Sequence, residues 1–333
     1  MLDAKVASTP APDAAIFFPS SMIKLSSPTL AEHPKAELGA DVTIALPAYG
    51  DYATTLTALQ SVFLAAEGDF EVLLVDNGSP DESIRTLLRQ VQAEHRNTTI
   101  FSFPENRQYS GAMNAILSHA RGEWVVGLAN DIFVTPYFFR ELLAVAKSNP
   151  RYGIVRGCSN FVDNGKPTHN IPLDRHPVSF EELFSLGRQA AEKFPADPLV
   201  DEFFVGDAFV VPRALLERIG TYDPQFFGYF ADPDFGLRTQ IAGFDQILAR
   251  RAFAYHKQNA NFDCLPPPVR QEKIEERWKL VFENWTRFKA KYGLPAELEY
   301  TSTHDIPWAK LAAQTFDPAR HYVSPGNYLA ERW

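Results

Sequence analysis

Two periods organise the apolar positions of this chain. Val42-Thr43-Ile44-Ala45-Leu46-Pro47 is a short apolar run closed by proline and a glycine turn at Gly50, which predicts a buried strand. From Tyr52 to Ala66, Leu56, Leu59 and Val62 recur at helical spacing. Phe70 to Val75 reads as a second strand ending at Asp76-Asn77-Gly78-Ser79, and the next segment carries Ile84, Leu87, Leu88 and Val91 on one helical face. Thr98–Phe103 predicts a third strand, Ser110–Ala120 a helix and Trp124–Leu128 a fourth strand. Strands alternating with helices over short loops predict an α/β domain, with a mostly parallel central sheet and helices on both faces.

The second half is more aromatic. Phe203-Phe204-Val205 leads into Gly206-Asp207, then Phe209-Val210-Val211 and a helix opened by Pro212. The stretch from Phe226 to Asp234 holds Asp232 and Asp234 among aromatics. A helix should begin there, with Pro233 early and the acids near its positive end. Gln246–Arg250 predicts a further strand before His256. Between Val269 and Tyr292, the residues Ile274, Trp278, Val281, Trp285, Phe288 and Tyr292 recur at steps of four and three, which predicts an amphipathic helix with its aromatic stripe packed on the body. The expected organisation is an N-terminal arm over 1–40, partly flexible, a catalytic-size domain over 41–263 with halves 41–135 and 136–263, and a helical extension over 264–333. The arm is rich in Pro, Ala and Ser. Its apolar cluster Ala15-Ile16-Phe17-Phe18-Pro19 should pack Phe17 and Phe18 on the body, with docking to a partner or membrane surface as the alternative.

Composition narrows the field. A chain of 333 residues that is 45% hydrophobic can bury a sizeable core. Thirty-two basic against 41 acidic residues leave a net charge of −9, which argues against a nucleic-acid partner. Cys158 and Cys264 fit no metal spacing and make no disulfide framework. With no apolar run of about 18 residues and no charged-then-apolar leader, the expected location is the cytoplasm, with peripheral association at the inner face of a membrane as an extension. Nothing in the pattern specifies an oligomer.

In open α/β sheets, ligands bind beyond the carboxyl ends of the strands. Asp76-Asn77 follow the second strand, Asn106 the third and Asn130-Asp131 the fourth, so three polar clusters should converge on one crevice. Asp131, ending a central strand, can hold a divalent cation, and Asp76 can read a nucleoside. Asp232 or Asp234 can act as a general base, because apolar burial raises a carboxyl pKa toward working pH. Asp234 can instead bond Arg238 four residues on. His256 can add a metal ligand or a phosphate contact. Asp207 can line a second-substrate site or cap the Pro212 helix. The turn Pro47-Ala48-Tyr49-Gly50-Asp51 has neither Gly-x-Gly-x-x-Gly nor a basic glycine-rich loop, which argues against a dehydrogenase and a nucleotidyltransferase.

The same residues carry a family resemblance. Val42 to Tyr49 resembles the opening strand of family 2 glycosyltransferases, and Val75-Asp76-Asn77-Gly78-Ser79 their second-strand nucleotide motif. Asn106, Gly111, Asn114 and Arg121-Gly122-Glu123-Trp124 match the approach to the family's metal motif. Gly206, Gly220-Thr221-Tyr222-Asp223 and Asp232-Pro233-Asp234 through Arg238 and Gly243 resemble the acceptor half, and Glu283-Asn284-Trp285 to Gly293 the C-terminal helix of rhamnosyltransferase-like members. The resemblance implies a GT-A (nucleotide-diphospho-sugar transferase) fold and an inverting transfer from a UDP-, dTDP- or GDP-linked sugar to a saccharide or lipid-linked saccharide, with Mg2+ or Mn2+. It makes Asp232 the base and Asp131 and His256 the metal ligands. It puts Pro47, Tyr49, Asp76, Asn106, Gly111, Asn114, Asn130, Gly206, Asp207 and Asp234 among the substrate contacts. Two departures stand out. The metal motif reads Ala129-Asn130-Asp131 where the family usually has Asp-x-Asp, and Ala231-Asp232 replaces the familiar Glu-Asp. A catalytically degenerate nucleotide- or saccharide-binding protein is therefore the alternative, with a sugar-nucleotide nucleotidyltransferase behind it.

Overall fold

In a computed structural model, which describes residues 28–162, 166–226, 228–257, 267–326 and 331–332, the predicted alternation builds one large sheet. In chain order the elements are β1 (Ala36–Leu38), β2 (Val42–Ala48), α1 (Tyr52–Ala65), β3 (Ala66–Gly68), β4 (Glu71–Asp76), α2 (Glu82–Glu94), β5 (Thr98–Ser102), α3 (Gln108–His119), β6 (Trp124–Leu128), β7 (Ile132–Phe133), α4 (Pro136–Ser148) and β8 (Tyr152–Ser159). Then follow α5 (Phe180–Lys193), β9 (Leu199–Val200), β10 (Ala208–Pro212), α6 (Arg213–Ile219), α7 (Ala231–Ile241), β11 (Asp245–His256), α8 (Pro267–Tyr292), α9 (Trp308–Ala312), α10 (Pro318–His321) and β12 (Glu331–Arg332). The sheet runs β12-β5-β4-β2-β6-β10-β8-β11-β7, with β9 attached to β11.

Strands β5, β4, β2 and β6 are parallel, as the sequence predicts. Farther along the sheet is mixed, because β10 runs antiparallel to both β6 and β8. An apolar run reads the same in either direction, so alternation cannot reveal this reversal. Its consequence is functional. The residues just before β10, Gly206 and Asp207, arrive at the rim where β4 and β6 end, and the Ala129 amide donates to the Asp207 carbonyl at 2.8 Å.

Apolar cores cover both faces. One joins α1, α2, α4 and α5 to the sheet, with Ile84, Leu87, Leu88 and Val91 buried as their spacing predicts. The other joins α3, α6, α7 and α8, and extends through Trp308 and Leu311 of α9. The C-terminal extension thus shares its core with the second half of the 41–263 region. A buried ion cluster ties them further. Asp234 on α7 accepts from Arg238 at 2.7 Å, Lys291 at 2.5 Å and the Tyr292 hydroxyl at 2.7 Å. Of the N-terminal arm, residues 28–40 carry a 3-10 turn at Pro28–Glu32 and β1, which pairs with β3. The Ala15–Pro19 cluster, Phe227 and Cys264 lie outside the described residues. Among the described residues, no helix is long and apolar enough to cross a membrane.

One expectation about packing fails. The stripe of α8 is core only from Val281 onward, where Val281, Trp285, Phe288 and Tyr292 are buried. Trp278 is 50% exposed. Helical spacing identifies which face of α8 looks at the body but not where the body ends, and its amino-terminal half extends past the core. Trp285, stacked on Phe288 and donating its indole N–H to the Leu298 carbonyl, anchors the helix. Urea denaturation should show Trp285→Ala costing about 3–5 kcal/mol through lost packing, with Trp278→Ala within about 0.5 kcal/mol of wild type. Equal losses at the two positions would mean that the whole stripe is core.

Candidate active site

The carboxyl ends of the parallel strands are in register: Asp76 on β4 pairs with Ala48 on β2 and Ser102 on β5. The crevice beyond them is therefore lined in order by the Asp76–Ser79 turn, the Asn106 loop and the Asn130-Asp131 turn. Gly78 has φ +69°, and a Cβ there would lie 2.3 Å from the Glu105 backbone, so only glycine lets the first turn touch the second loop. The Asn77 amide crosses that contact, donating to Asn106 Oδ1 at 3.2 Å and to the Gln108 carbonyl at 3.0 Å.

Asp131 and His256 are brought together by strand pairing. Ile132 on β7 lies opposite His256 on β11, and the Lys257 amide donates to the Asp131 carbonyl at 2.9 Å. His256 Nε2 then lies 3.3 Å from Asp131 Oδ2. Its Nδ1 is 3.0 Å from the Phe161 carbonyl. A carbonyl only accepts, so Nδ1 carries a proton and Nε2 is the atom turned to Asp131. Burial alone would lower the imidazole pKa, but the Asp131 and Asp207 carboxylates raise it to about 9. Burial would likewise raise the Asp131 carboxyl, yet His256 and Lys257 hold it below the ordinary range.

Asp207 occupies the other side of the imidazole, with Oδ2 3.8 Å from Nδ1. Its Oδ1 accepts from Arg156, a buried guanidinium on β8. Asp207 Oδ2 and two nitrogens of Arg156 are buried without hydrogen-bond partners. Unpaired buried polar atoms are rare in folded proteins and mark places built for something else.

Asp232 sits in the first turn of α7, whose N-cap, Phe230, is left-handed with φ 65°. Asp232 is therefore not the cap. Oδ2 accepts from the Gly206 amide at 3.0 Å, and Oδ1 is left without a partner beside the Tyr222 hydroxyl. A Cβ on residue 206 would lie 2.6 Å from Asp232 Oδ1, so glycine is needed for this approach. Burial raises the Asp232 carboxyl to about 6, with the Gly206 amide and the neighbouring Tyr222 hydroxyl opposing and Asp207 reinforcing the shift. The phenol of Tyr109 donates to the Gly206 carbonyl and lies between Asp232, Asp207 and Asp131, and burial and these three charges hold its pKa well above normal. Asp232 opens onto a cleft of about 330 Å³ lined by Tyr109, Tyr229, Phe230, Trp278, Tyr300 and Thr303 among others.

Several expected substrate contacts have other roles. Pro47 is buried within β2. Asn114 is buried, with both ends of its amide on the Tyr222 backbone at 2.7 and 2.9 Å. Gly111 gives room to the Arg107 side chain inside α3. Asp234 belongs to the ion cluster and not to the cleft. Asp76 is fully buried and closes its turn on the Ser79 amide at 2.9 Å while holding Arg85 at 3.1 Å. The Asp234–Arg238 bond is the one that i,i+4 spacing anticipates; the partners that consume Asp76 and Asn114 are set by the fold, which spacing cannot show. Tyr49 and Asn130 stay at the rim, half-buried, with the Asn130 amide donating to the Tyr49 carbonyl at 3.3 Å. Arg156, Lys257 and Tyr109 were not singled out by the sequence. The one signal was that Arg156 interrupts an apolar strand and Lys257 follows His256.

A carboxylate and an imidazole nitrogen suit a divalent cation that draws its other ligands from phosphate and water. Among the described residues, no three acidic, histidine or cysteine side chains form a complete protein cage. Asp131 and His256 could thus supply at most part of a cation's ligands. Sheet, crevice and acidic rim together define a GT-A fold. The model of glycosyl transferase family 2 matches residues 43–220, more than half of the chain. The chain belongs to glycosyl transferase family 2. It is 25% identical over 212 residues to an uncharacterised glycosyltransferase of Nostoc sp., covering 63% of each chain. It is 24% identical over 224 residues to an uncharacterised protein of Sinorhizobium fredii, covering 66% of this chain and 24% of the relative. The chain thus spans less than two thirds of the length of either relative. The structure of GalNAc-T7 with UDP, GalNAc and Mn2+ shares the fold at TM-score 0.52 and 13% identity, over 65% of this chain and 43% of that one.

The raised Asp232 pKa has a sign that stability measurements can read. A carboxyl with a folded pKa near 6 and an unfolded pKa of 3.8 favours folding only while protonated. That contribution is complete below pH 4 and is lost as pH rises through 6. Asp232→Asn should therefore be more stable than wild type at pH 8 by about 3 kcal/mol, and the gap should close by pH 4. A variant less stable than wild type at pH 8 would contradict the burial described here.

Proposed function

We propose that the protein is an inverting glycosyltransferase that moves a hexose or deoxyhexose from a nucleotide diphosphate to a saccharide or lipid-linked saccharide, with Asp232 as general base. The observation that carries this reading is the Asp232 carboxyl, raised to about 6 by burial and set in the wall of the aromatic cleft. A carboxylate with that pKa is ionised at neutral pH and basic enough to take a proton as an acceptor oxygen attacks. The Glu283–Gly293 helix supports the rhamnosyltransferase-like subtype.

Each residue then has a task. The Asn77–Asn106 contact and the Asp76–Ser79 turn wall the nucleoside side. Asp131 and His256 Nε2 would hold Mg2+ or Mn2+, which when bound neutralises the diphosphate leaving group. Lys257, between Asp51 at 3.3 Å and Thr54 at 2.6 Å, adds positive charge to that side. Arg156 and Asp207 orient the imidazole from behind. Asp232 takes the proton of the acceptor hydroxyl. The new bond forms between that oxygen and the anomeric carbon as the bond to the diphosphate breaks, so one base on the far face gives inversion.

Release of nucleotide diphosphate should need Mg2+ or Mn2+, and Asp131→Ala should lose the metal-dependent thermal stabilisation by a nucleotide sugar. Asp232→Asn should lower kcat about a hundred- to ten-thousandfold with donor binding retained. Wild-type kcat should rise with pH through an apparent pKa near 6. Near-native turnover in Asp232→Asn, or retained anomeric configuration by NMR, would overturn the mechanism.

A further inference from the structure

Trp278 lies three and seven residues before the buried Val281 and Trp285, so it sits on the face of α8 that looks toward the body. There the core has ended, and the indole borders the cleft that holds Asp232 instead of entering packing. Half of its surface is exposed although it is on the inward face. The same cleft is lined by Tyr229 and Tyr300, and by the polar residues Ser110, Thr303 and Arg277. Tyr229 is fixed from beneath by Asn284, which donates to its carbonyl at 2.8 Å, and the Arg277 guanidinium lies 5.3 Å from its ring centre. Phe282, one helical turn on, packs beside the indole with ring centres 6.1 Å apart.

We infer that Trp278 is the platform on which the terminal sugar ring of the acceptor stacks, which makes it a specificity-determining residue; the inference rests on the acceptor-side reading of this cleft. A pyranose has an apolar C–H face and a polar rim of hydroxyls. Aromatic faces with a few hydrogen-bonding groups between them match that division, and a rigid indole loses little conformational freedom on binding. The cleft volume, about 330 Å³, is at the small end for a ligand site and suits a saccharide end. A lipid surface is the poorer match. Arg270, Lys273 and Arg277 do share one side of this part of the helix, but Lys273 is paired with Glu276 at 2.7 Å, and Glu272 and Glu275 offset most of the remaining charge, so the segment is close to neutral where anionic membranes select a strongly basic one.

The test uses the full chain as wild type, Trp278→Ala, Trp278→Phe and Trp278→Leu. Saturation-transfer NMR with methyl hexopyranosides, lactose, maltose and cellobiose reads binding without turnover. The ring protons of one sugar face should be saturated in wild type and Trp278→Phe, and the effect should vanish in Trp278→Ala and Trp278→Leu. Where such a sugar stimulates release of nucleotide diphosphate, Trp278→Ala should raise its KM about tenfold, with a smaller change in kcat and with Trp278→Phe restoring most of the loss. Three results overturn the platform: unaltered sugar binding in Trp278→Ala, Trp278→Leu performing as well as Trp278→Phe, or no saccharide in the panel binding the wild-type protein. Cosedimentation with phosphatidylglycerol vesicles that depends on Trp278 would assign the indole to a membrane instead. Failure of the wild type to release nucleotide diphosphate with any donor would sink the transferase reading alone, and the NMR result would still decide on the platform.

Discussion

The antiparallel entry of β10 between β6 and β8 is the constraint on which the site depends. The hydrogen bond from the Ala129 amide to the Asp207 carbonyl registers the second half of the chain against the first. Without that reversal, Gly206 and Asp207 would lie at the opposite end of the sheet from Asp131. With it, Gly206 arrives where its amide can hold Asp232, and Asp207 where it can flank His256. The pairing of β7 with β11 adds the remaining piece, His256 beside Asp131.

These placements leave polar atoms buried and unpaired on Asp207, Asp232 and Arg156. Each such group costs stability, and the chain offsets this elsewhere. Two apolar cores cover the sheet, and the Asp234–Arg238–Lys291–Tyr292 cluster pins α7, which carries Asp232, to α8, which carries Trp278. Two acids separated by one residue thus have opposite fates. Asp234 is fully paired and its carboxyl, despite a burial that would raise it, is held below the ordinary range by Arg238 and Lys291. Asp232 has one hydrogen bond and a carboxyl pushed up to about 6. Environment, not residue type, separates a structural carboxylate from one suited to proton transfer.

The absent first carboxylate at Ala129 also finds a structural context. The residue whose backbone pairs with Ala129 is itself acidic. Asp207 faces the Nδ1 side of His256 while Asp131 faces Nε2, so the imidazole is held between two carboxylates. Asp207 is a support for the histidine on this geometry, on the side of the ring away from Asp131.

Much of this was legible in the sequence. Alternating apolar runs determined where the strands and helices of the first half lie, because period 2 or 3.6 is dictated locally. Residues after strand ends pointed to one crevice, since a parallel sheet puts all its carboxyl ends on one side. The motif order singled out Asp131, Asp232 and His256, and the fold places Asp131 beside His256. Tertiary structure decided what spacing cannot encode: the direction of β10, the partners that consume Asp76 and Asn114, the addition of Lys291 and Tyr292 to the Asp234–Arg238 pair that i,i+4 spacing anticipated, and the surroundings of Arg156. It also decided that the inward face of α8 meets core at Trp285 and an open cleft at Trp278. A helical period reports which way a side chain points. What it meets there depends on how far the rest of the chain extends beneath it.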